Sequence, residues 1–318
     1  MNDTSAMKQQ YEIYTDLAVE AKESFPGDGG EIRGVVLEED IREDASMKVT
    51  KVIILDEEGA KAMRKPIGTY ITLESSLLLD EERESEELCA EVLAEYIKEL
   101  LPSNWKSILA VGLGNSEMTA DSLGPRAVSR LWISRHYNEN QEGLSGIVPG
   151  VMAQTGMETA EIVRGVVKET KPDAVIVIDA LAARSTLRLG TTIQLTDTGI
   201  QPGSGVGNHR KGLNEEGLGV PVVAIGVPTV VGAATIAFDT LDAIVEVLAN
   251  SKTTEGLSQT IRAFNEQEKY ALMKELLEPK LGPMFVTPKD MDETVNRLGD
   301  ILADGINIAV HSVEEDAI

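Results

Sequence analysis

The sequence lacks features that mark several common classes of protein. Its 318 residues include a single cysteine, Cys89, so no internal disulfide can form, and the apolar stripe around it indicates a small core residue. No run approaches the roughly 18 apolar residues that a membrane span needs. The chain does not begin with a basic segment followed by an apolar one. We therefore expect a cytoplasmic protein.

Basic residues are scarce relative to acidic ones. The 29 Lys and Arg against 53 Asp and Glu leave a formal net charge of -24. Such a charge repels the phosphates of nucleic acids and anionic membranes at long range. Direct nucleic-acid binding and a membrane partner are therefore not expected. The hydrophobic fraction of 42% is enough for a sizeable buried core.

Motifs of three common kinds of site are missing. The histidines form no zinc-binding spacing, and no Gly-x-Ser-x-Gly nucleophile elbow is present. The turn at residues 112–115 lacks the third glycine of a dinucleotide-binding loop, and no P-loop lysine follows. A nucleotide- or phosphate-binding regulator that uses this turn and residues 203–207 stays the less favoured alternative.

The pattern of apolar residues predicts the order of the secondary structure. A helix with a regular apolar stripe is expected to end near Pro102, and from residue 107 onwards apolar strands alternate with helices. The strand candidates are residues 31–38, 47–55, 70–73, 108–111, 174–178, 192–195 and 222–225. Such alternation is typical of an α/β fold with a mostly parallel central sheet covered on both sides. Residues 1–31 predict a loosely held arm, and residues 250–265 a loop.

Two carboxylates follow apolar strands. Asp121 comes after the strand 108–111 and its turn, and Asp179 follows the run 174–178 directly. The carboxyl ends of parallel strands meet at one edge of an open sheet, where ligands bind, so both acids are candidates for acid-base chemistry. Structural roles stay open beside this one: Asp121 is also placed to cap the next helix, and Asp179 to pair with Arg184.

Glycine-rich turns near this edge are candidates for lining a site. Gly114 and Asn115 follow the first of these strands, while Gly203 and Gly205 belong to a glycine-rich loop that is followed by His209. Glycine allows a ligand to approach the backbone closely. Loops of this kind near a sheet edge often carry function.

Several longer motifs are spread along the chain. They are TDLAVEA (15–21), VGLGN (111–115), DSLGP (121–125), IVPGVMAQTG (147–156), IDALAARS (178–185), QPGSGVGN (201–208), IGVPTVV (225–231) and MFVTPKDMD (284–292). Together these motifs resemble those of the germination protease family of spore-forming bacteria. The resemblance implies an endopeptidase with a three-layer α/β/α sandwich and a mostly parallel sheet. This fold is similar to that of hydrogenase-maturation endopeptidases, here with extra β-rich N-terminal segments.

The resemblance also implies a substrate and a form of regulation. The family starts the degradation of small acid-soluble spore proteins at germination, so these proteins are the expected partners, in the developing spore and spore core. It is made as an inactive zymogen that removes its own N-terminal segment. Here the expected cut lies between Asp16 and Leu17, which makes residues 1–16 a propeptide and residues 17–318 one peptidase domain. A homotetramer and no cofactor are expected.

The essential carboxylates of the family fall on Asp121 and Asp179. Two carboxylates at close range share a proton, so one activates water while the other bonds the carbonyl oxygen of the substrate. We expect backbone N–H groups of residues 112–115 to stabilise the oxyanion. A metal-dependent endopeptidase stays an alternative, with the same carboxylates and His209 or water as ligands. His209 stands where the family commonly has lysine, which makes it a poor candidate for an essential ligand.

Overall fold

The computed structural model describes residues 15–23, 32–201, 212–249, 266–281 and 284–311. The strands in these ranges are β1 (Val35–Arg42), β2 (Met47–Ile54), β3 (Gly68–Glu74), β4 (Ser107–Gly112), β5 (Gly143–Ile147), β6 (Ala174–Ala183), β7 (Thr192–Thr196), β8 (Val222–Gly232) and β9 (Phe285–Val286). The helices are α1 (Ala18–Glu23), α2 (Glu57–Met63), α3 (Arg83–Leu100), α4 (Leu123–Ser129), α5 (Met152–Thr155), α6 (Thr159–Thr170), α7 (Glu215–Leu218), α8 (Ala233–Ala249), α9 (Glu266–Leu281) and α10 (Met291–His311). Within the described ranges, none of these helices is both long and apolar enough to cross a membrane.

The nine described strands join one sheet in the order β1-β2-β3-β7-β8-β6-β4-β5, with β9 beside β8. β5, β4, β6 and β8 form a parallel block, whereas the other pairings are antiparallel. The expected α/β class is confirmed, and the sheet is mixed. The chain reverses between β6 and β7 because residues 184–191 are fewer than the dozen or so that a parallel crossover takes.

Helices cover the sheet on both faces. On one face α3, α4 and α10 pack against the sheet in a core that includes Leu93, Ile176 and Ile301. On the other face α6 and α7 cover Val111 and Val177. β6 and β8 are buried on both faces, which explains their near-continuous apolar sequences. The layers are therefore helix, sheet and helix.

Some local expectations differ from the structure. The strand expected to end at Ile178 continues to Ala183, because β6 still pairs with β8 beyond that point. The expectation of a loosely held arm is wrong for residues 15–23, since residues 18–23 form α1 and Leu17 is fully buried. The rest of the arm, the loop at 250–265 and residues 202–211 lie outside the described residues.

Candidate active site

Asp121 lies in a short turn between β4 and α4. Thr119–Asp121 form one turn of 3-10 helix, and Ser122 holds the N-cap position of α4. The capping role expected for Asp121 is therefore wrong, because the chain makes one more turn before the helix begins. The Asn115 N–H donates hydrogen bonds to the Asp121 carboxylate at 2.8 Å and to the Asp121 carbonyl oxygen at 3.0 Å.

Close packing fixes the position of this turn. Gly114 has a φ of 109°, and a Cβ added to it would lie 2.0 Å from the Asp121 carbonyl oxygen. The buried Thr229 hydroxyl of β8 donates a hydrogen bond to the Ala120 carbonyl oxygen at 2.6 Å. Glycine is needed at position 114 for both its conformation and the close approach.

Asp179 lies within β6 at the point where the neighbouring strand β4 ends. The last pair between these strands joins Gly112 to Ile178, and the Leu113 N–H then donates to the Ile178 carbonyl oxygen at 2.8 Å. Asp179 is 7% exposed, and its Oδ1 accepts a hydrogen bond from the Ala180 N–H at 2.9 Å. On the side of β4, Asp179 is therefore the first residue beyond the last strand pair, whereas on its other side β6 continues to pair with β8.

The turn of Asp121 and the strand of Asp179 are in contact. A Cβ added to Gly124, at the start of α4, would lie 2.5 Å from the Ile178 carbonyl oxygen, directly before Asp179. The turn Thr119–Asp121 also contacts β6 and β8. Both carboxylates thus belong to adjoining segments at the carboxyl end of the parallel block.

The other residues expected at the site divide into two groups. Asn115 is at the site, and its Oδ1 accepts hydrogen bonds from the Glu117 N–H at 3.0 Å and from Gln154 Nε2 at 2.8 Å. Gly203, Gly205 and His209 lie outside the described residues. The guanidinium of Arg184, considered above as a partner of Asp179, lies 5.9 Å from the centre of the Phe238 ring.

Two of the N–H groups expected to stabilise an oxyanion, in the turn at residues 112–115, are engaged within the protein. The Leu113 N–H bonds the Ile178 carbonyl oxygen, and the Asn115 N–H bonds Asp121. That expectation is wrong for these two groups because the turn uses them to hold itself against β6 and the Asp121 segment. For the same reason, the Leu113 and Asn115 N–H groups are not available to bind a phosphate.

A row of polar side chains crosses the sheet towards Asp179. Thr50 pairs with Thr72, Thr72 with Gln194, and both Gln194 and Asp179 pair with Gly226. Residues paired directly across strands project from the same face of a sheet. The four side chains are buried, so this row is a polar track through an otherwise apolar layer.

The segment with the expected processing bond is docked beside this row. The Asp16 N–H donates to the Ala182 carbonyl oxygen at 3.1 Å, and the Ala182 N–H donates to Asp16 Oδ2 at 2.9 Å. The Asp16 carbonyl oxygen accepts hydrogen bonds from Lys65 Nζ at 2.8 Å and Gln194 Nε2 at 3.1 Å. Asp16 is therefore bonded to β6 on one side and β7 on the other.

Electrostatics also ties this segment to the sheet. Burial lowers the pKa of Lys65, while the negative charges of Asp16 and Glu20 act in the opposite direction. Glu20 is 2% exposed, and its carboxylate accepts hydrogen bonds from the N–H groups of Arg184 at 2.8 Å and Ser185 at 2.9 Å. The Thr15 hydroxyl donates to the same carboxylate. Glu20 thus binds the N-terminal segment to Arg184 and Ser185, which directly follow β6.

Sequence reasoning missed Lys65, Gln194 and Thr229. Gln194 is the one of the three with a local signal, since it is a polar residue between the apolar Ile193 and Leu195 of a strand. Over the described residues, no group of three or more His, Cys, Asp or Glu has the arrangement of a metal site.

Comparisons with known proteins agree with the motifs. The sequence profile of the germination protease family matches residues 13–260 and 246–318. A germination protease of Caldanaerobacter subterraneus subsp. tengcongensis is 46% identical, over 94% of this chain and 94% of the relative. One of Clostridium tetani is 44% identical, over 95% and 97%, and one of Bacillus subtilis is 40% identical, over 95% and 94%.

A solved structure of a hydrogenase maturation protease from Thermococcus kodakarensis is also similar. It is 21% identical, with 42% of this chain and 80% of that chain covered, and a TM-score of 0.31. That score is too low to support an argument about the fold, which rests on the sheet described above. The family match over nearly the whole chain is a separate result, and on its strength the chain belongs to the germination protease family and is an endopeptidase.

Proposed function

We propose that this endopeptidase starts the degradation of small acid-soluble spore proteins during germination, and that it is made as a zymogen. In this proposal residues 1–16 are the propeptide, residues 17–318 are the peptidase domain, and the enzyme cuts its own Asp16–Leu17 bond. One observation carries the proposal: the carbonyl oxygen of that bond is held by Lys65 and Gln194 beside the strand of Asp179.

The chemistry follows from the two carboxylates at the sheet edge. Asp121 and Asp179 share one proton, because two carboxylates at close range do not both ionise readily. The ionised partner takes a proton from the water that attacks the scissile carbonyl. The protonated partner bonds the carbonyl oxygen at first and later donates a proton to the leaving amine. The contact of the Asp121 turn with β6 supports this pairing.

The same proposal includes the surroundings of the enzyme. Its substrates are spore proteins, its location is the cytoplasm of the developing spore and then the spore core, and it acts as a homotetramer without a cofactor. A formal net charge of -24 disfavours direct binding of the enzyme to nucleic acid. Substrate is therefore taken as free chain, away from the DNA.

The test uses the full chain and a peptide that spans residues 15–20. The parent is expected to cut the peptide after the aspartate and to convert itself to a chain that begins at Leu17, both measured by mass spectrometry. Asp121→Asn and Asp179→Asn should each slow both reactions by at least about 100-fold. Glu139→Gln is the matched control, because Glu139 is an exposed acid in the loop before β5.

Activity of either aspartate variant near that of the parent would refute the dyad. Treatment with a chelator separates the two mechanisms that use these carboxylates. An enzyme that activates water with the aspartate pair alone should keep its activity in the presence of the chelator. Loss of activity that a divalent ion restores would replace the dyad by the metal-dependent mechanism.

A further inference from the structure

We propose that Lys65 and Gln194 form the oxyanion-binding site of this endopeptidase for the Asp16–Leu17 bond. The inference rests on the proposed function, because it takes this bond as one that the enzyme cuts. It replaces the turn at residues 112–115, whose Leu113 and Asn115 N–H groups are engaged elsewhere. For this bond it also replaces the protonated carboxyl at the carbonyl oxygen, which leaves that carboxyl as the proton donor to the leaving amine.

Two donors converge on one carbonyl oxygen. Lys65 Nζ lies 2.8 Å and Gln194 Nε2 lies 3.1 Å from the oxygen of Asp16. Both distances lie within the range of about 2.7–3.1 Å at which donors stabilise an oxyanion. Lys65 precedes β3 and Gln194 lies in β7, so the fold itself brings the two donors together.

The amide of Gln194 contacts the chain on both sides of the bond. Its Oε1 accepts a hydrogen bond from the Ala18 N–H at 2.6 Å, while its Nε2 donates to the Asp16 carbonyl oxygen. An N–H bonds only the oxygen end of an amide, so Ala18 sets the orientation that directs the nitrogen at Asp16. In this segment the Gln194 amide therefore bonds main-chain groups, the Ala18 N–H and the Asp16 carbonyl oxygen.

Lys65 supplies charge where charge develops. Burial lowers the pKa of Lys65, while the negative charges of Asp16 and Glu20 favour its ammonium form. A cation with little water around it interacts strongly with a neighbouring charge. The carbonyl oxygen is neutral before attack and anionic after it. The ammonium of Lys65 therefore binds the transition state more tightly than the ground state, which is the condition for catalysis.

The position of the bond agrees with this role. Gln194 and Asp179 both pair with Gly226, so their backbones are two strands, about 10 Å, apart. Asp16 is bonded to β6 through Ala182 and to β7 through Gln194. Asp16 is thus bonded both to the strand of the residue proposed to activate water and to the strand of a residue proposed to bind the oxyanion.

The step balances with water as the only co-reactant. The water oxygen bonds the carbonyl carbon of Asp16, its proton passes to the carboxylate pair, and the carbonyl π electrons move to the oxygen between Lys65 and Gln194. When the carbonyl reforms, the bond to the Leu17 nitrogen breaks and that nitrogen takes a proton from the pair. Asp16 then ends in a carboxyl group, which keeps the second proton of the water, and Leu17 begins with an amine.

The experiment measures the first-order rate of self-conversion in the full chain. Lys65→Met and Gln194→Glu should each slow it by about 100-fold. The glutamate keeps an oxygen for the Ala18 N–H, but it replaces the donor with a second oxygen and adds a negative charge that opposes the oxyanion. Lys65→Arg keeps a charged donor and should lie within about tenfold of the parent.

Two controls match these changes. Lys61→Met removes an exposed lysine four residues before Lys65, and Thr196→Val changes a buried polar residue two positions after Gln194 on the same strand. Neither residue contacts Asp16 through a bond in the described ranges. Both variants should convert at the rate of the parent.

Docking of the segment is followed separately, by hydrogen exchange of the Arg184 and Ser185 amides in an Asp179→Asn background. Glu20 bonds these amides, so their protection reports docking without involving Lys65 or Gln194. We expect protection to be unchanged in Lys65→Met and Gln194→Glu.

Two results would overturn the inference alone. One is conversion of both variants within threefold of the parent, and the other is protection that is lost in proportion to the rate, which would make the pair a clamp. A parent that never converts, or an Asp179→Asn chain that converts normally, would instead refute the proposed function and with it the inference.

Discussion

Glu20 and Arg188 form an ion pair of 3.3 Å in the interior, with Glu20 only 2% exposed. The same guanidinium bonds Glu74 at 2.8 Å and Glu23 at 2.7 Å. Arg188 therefore connects α1 with β3 and with the segment that follows β6. This connection holds the docked N-terminal segment against the candidate site.

Arg188→Met should lower the free energy of unfolding by about 3 kcal/mol, because it leaves the buried Glu20 carboxylate without its cation. Urea unfolding of the Asp179→Asn chain, which is expected to stay intact, measures the change. Arg83→Met is the control, since the Arg83–Glu87 pair is exposed and water screens it. Equal losses in the two variants would show that Arg188 has no special structural role.

Gly114→Ala should abolish endopeptidase activity. The new Cβ would lie 2.0 Å from the Asp121 carbonyl oxygen and the residue has a φ of 109°, so the turn must move and carry the Asp121 carboxylate with it. Gly156→Ala is the matched control, because Gly156 also has a positive φ, of 70°, but nothing lies within 4 Å of its added Cβ. The measurement is the rate of peptide cleavage by soluble, folded protein. An active Gly114→Ala enzyme would show that catalysis does not depend on the position of this turn.

Local patterns predicted those parts of the fold that local patterns determine. The four-residue spacing of apolar positions places α3, and the continuous apolar runs place β6 and β8 as strands buried on both faces. The direction of β7 was not predictable in this way. It depends on which neighbours the strand finds after a short connection, and hydrophobic pattern does not encode that choice.

The same distinction, between local patterns and contacts that depend on the sheet order, applies to the candidate site. Asp121 and Asp179 could be selected from the sequence because each stands after an apolar run in a recognisable motif, and their catalytic role stays a prediction. Lys65 and Gln194 could not, since they contact Asp16 across separations of 49 and 178 residues. Contacts at that distance arise from the sheet order, which places β3 and β7 side by side and the N-terminal segment against them.

Cys89 should be inert in the folded protein. It is fully buried, and burial, with a smaller effect of the Asp80 charge, raises the pKa of its thiol to about 11. At about pH 8 the folded thiol is neutral, while the unfolded thiol, with a pKa of about 8.5, is partly ionised. A thiol reagent should therefore report unfolding and nothing else, and rapid labelling of native protein would contradict the burial.

The same shift predicts how stability depends on alkaline pH. Between about pH 8.5 and 11 the folded state keeps the thiol proton and the unfolded state releases it, so the free energy of unfolding falls as pH rises. Cys89→Ala should lose this part of the slope in urea unfolding followed across that range. An unchanged slope would mean that another group accounts for it.

Thr229→Val should lower the rate of peptide cleavage roughly tenfold and the free energy of unfolding by about 1 kcal/mol. The buried hydroxyl donates to the Ala120 carbonyl oxygen at 2.6 Å, directly before Asp121, so its removal weakens the hold of β8 on the turn. Thr229→Ser keeps the hydroxyl and should restore the rate. Thr50→Val is the control, because the Thr50 hydroxyl is buried with no hydrogen-bond partner among the described residues and its loss should not destabilise the fold. If Thr229→Val destabilises the fold but cleaves at the parent rate, the hydroxyl supports the sheet and does not position Asp121.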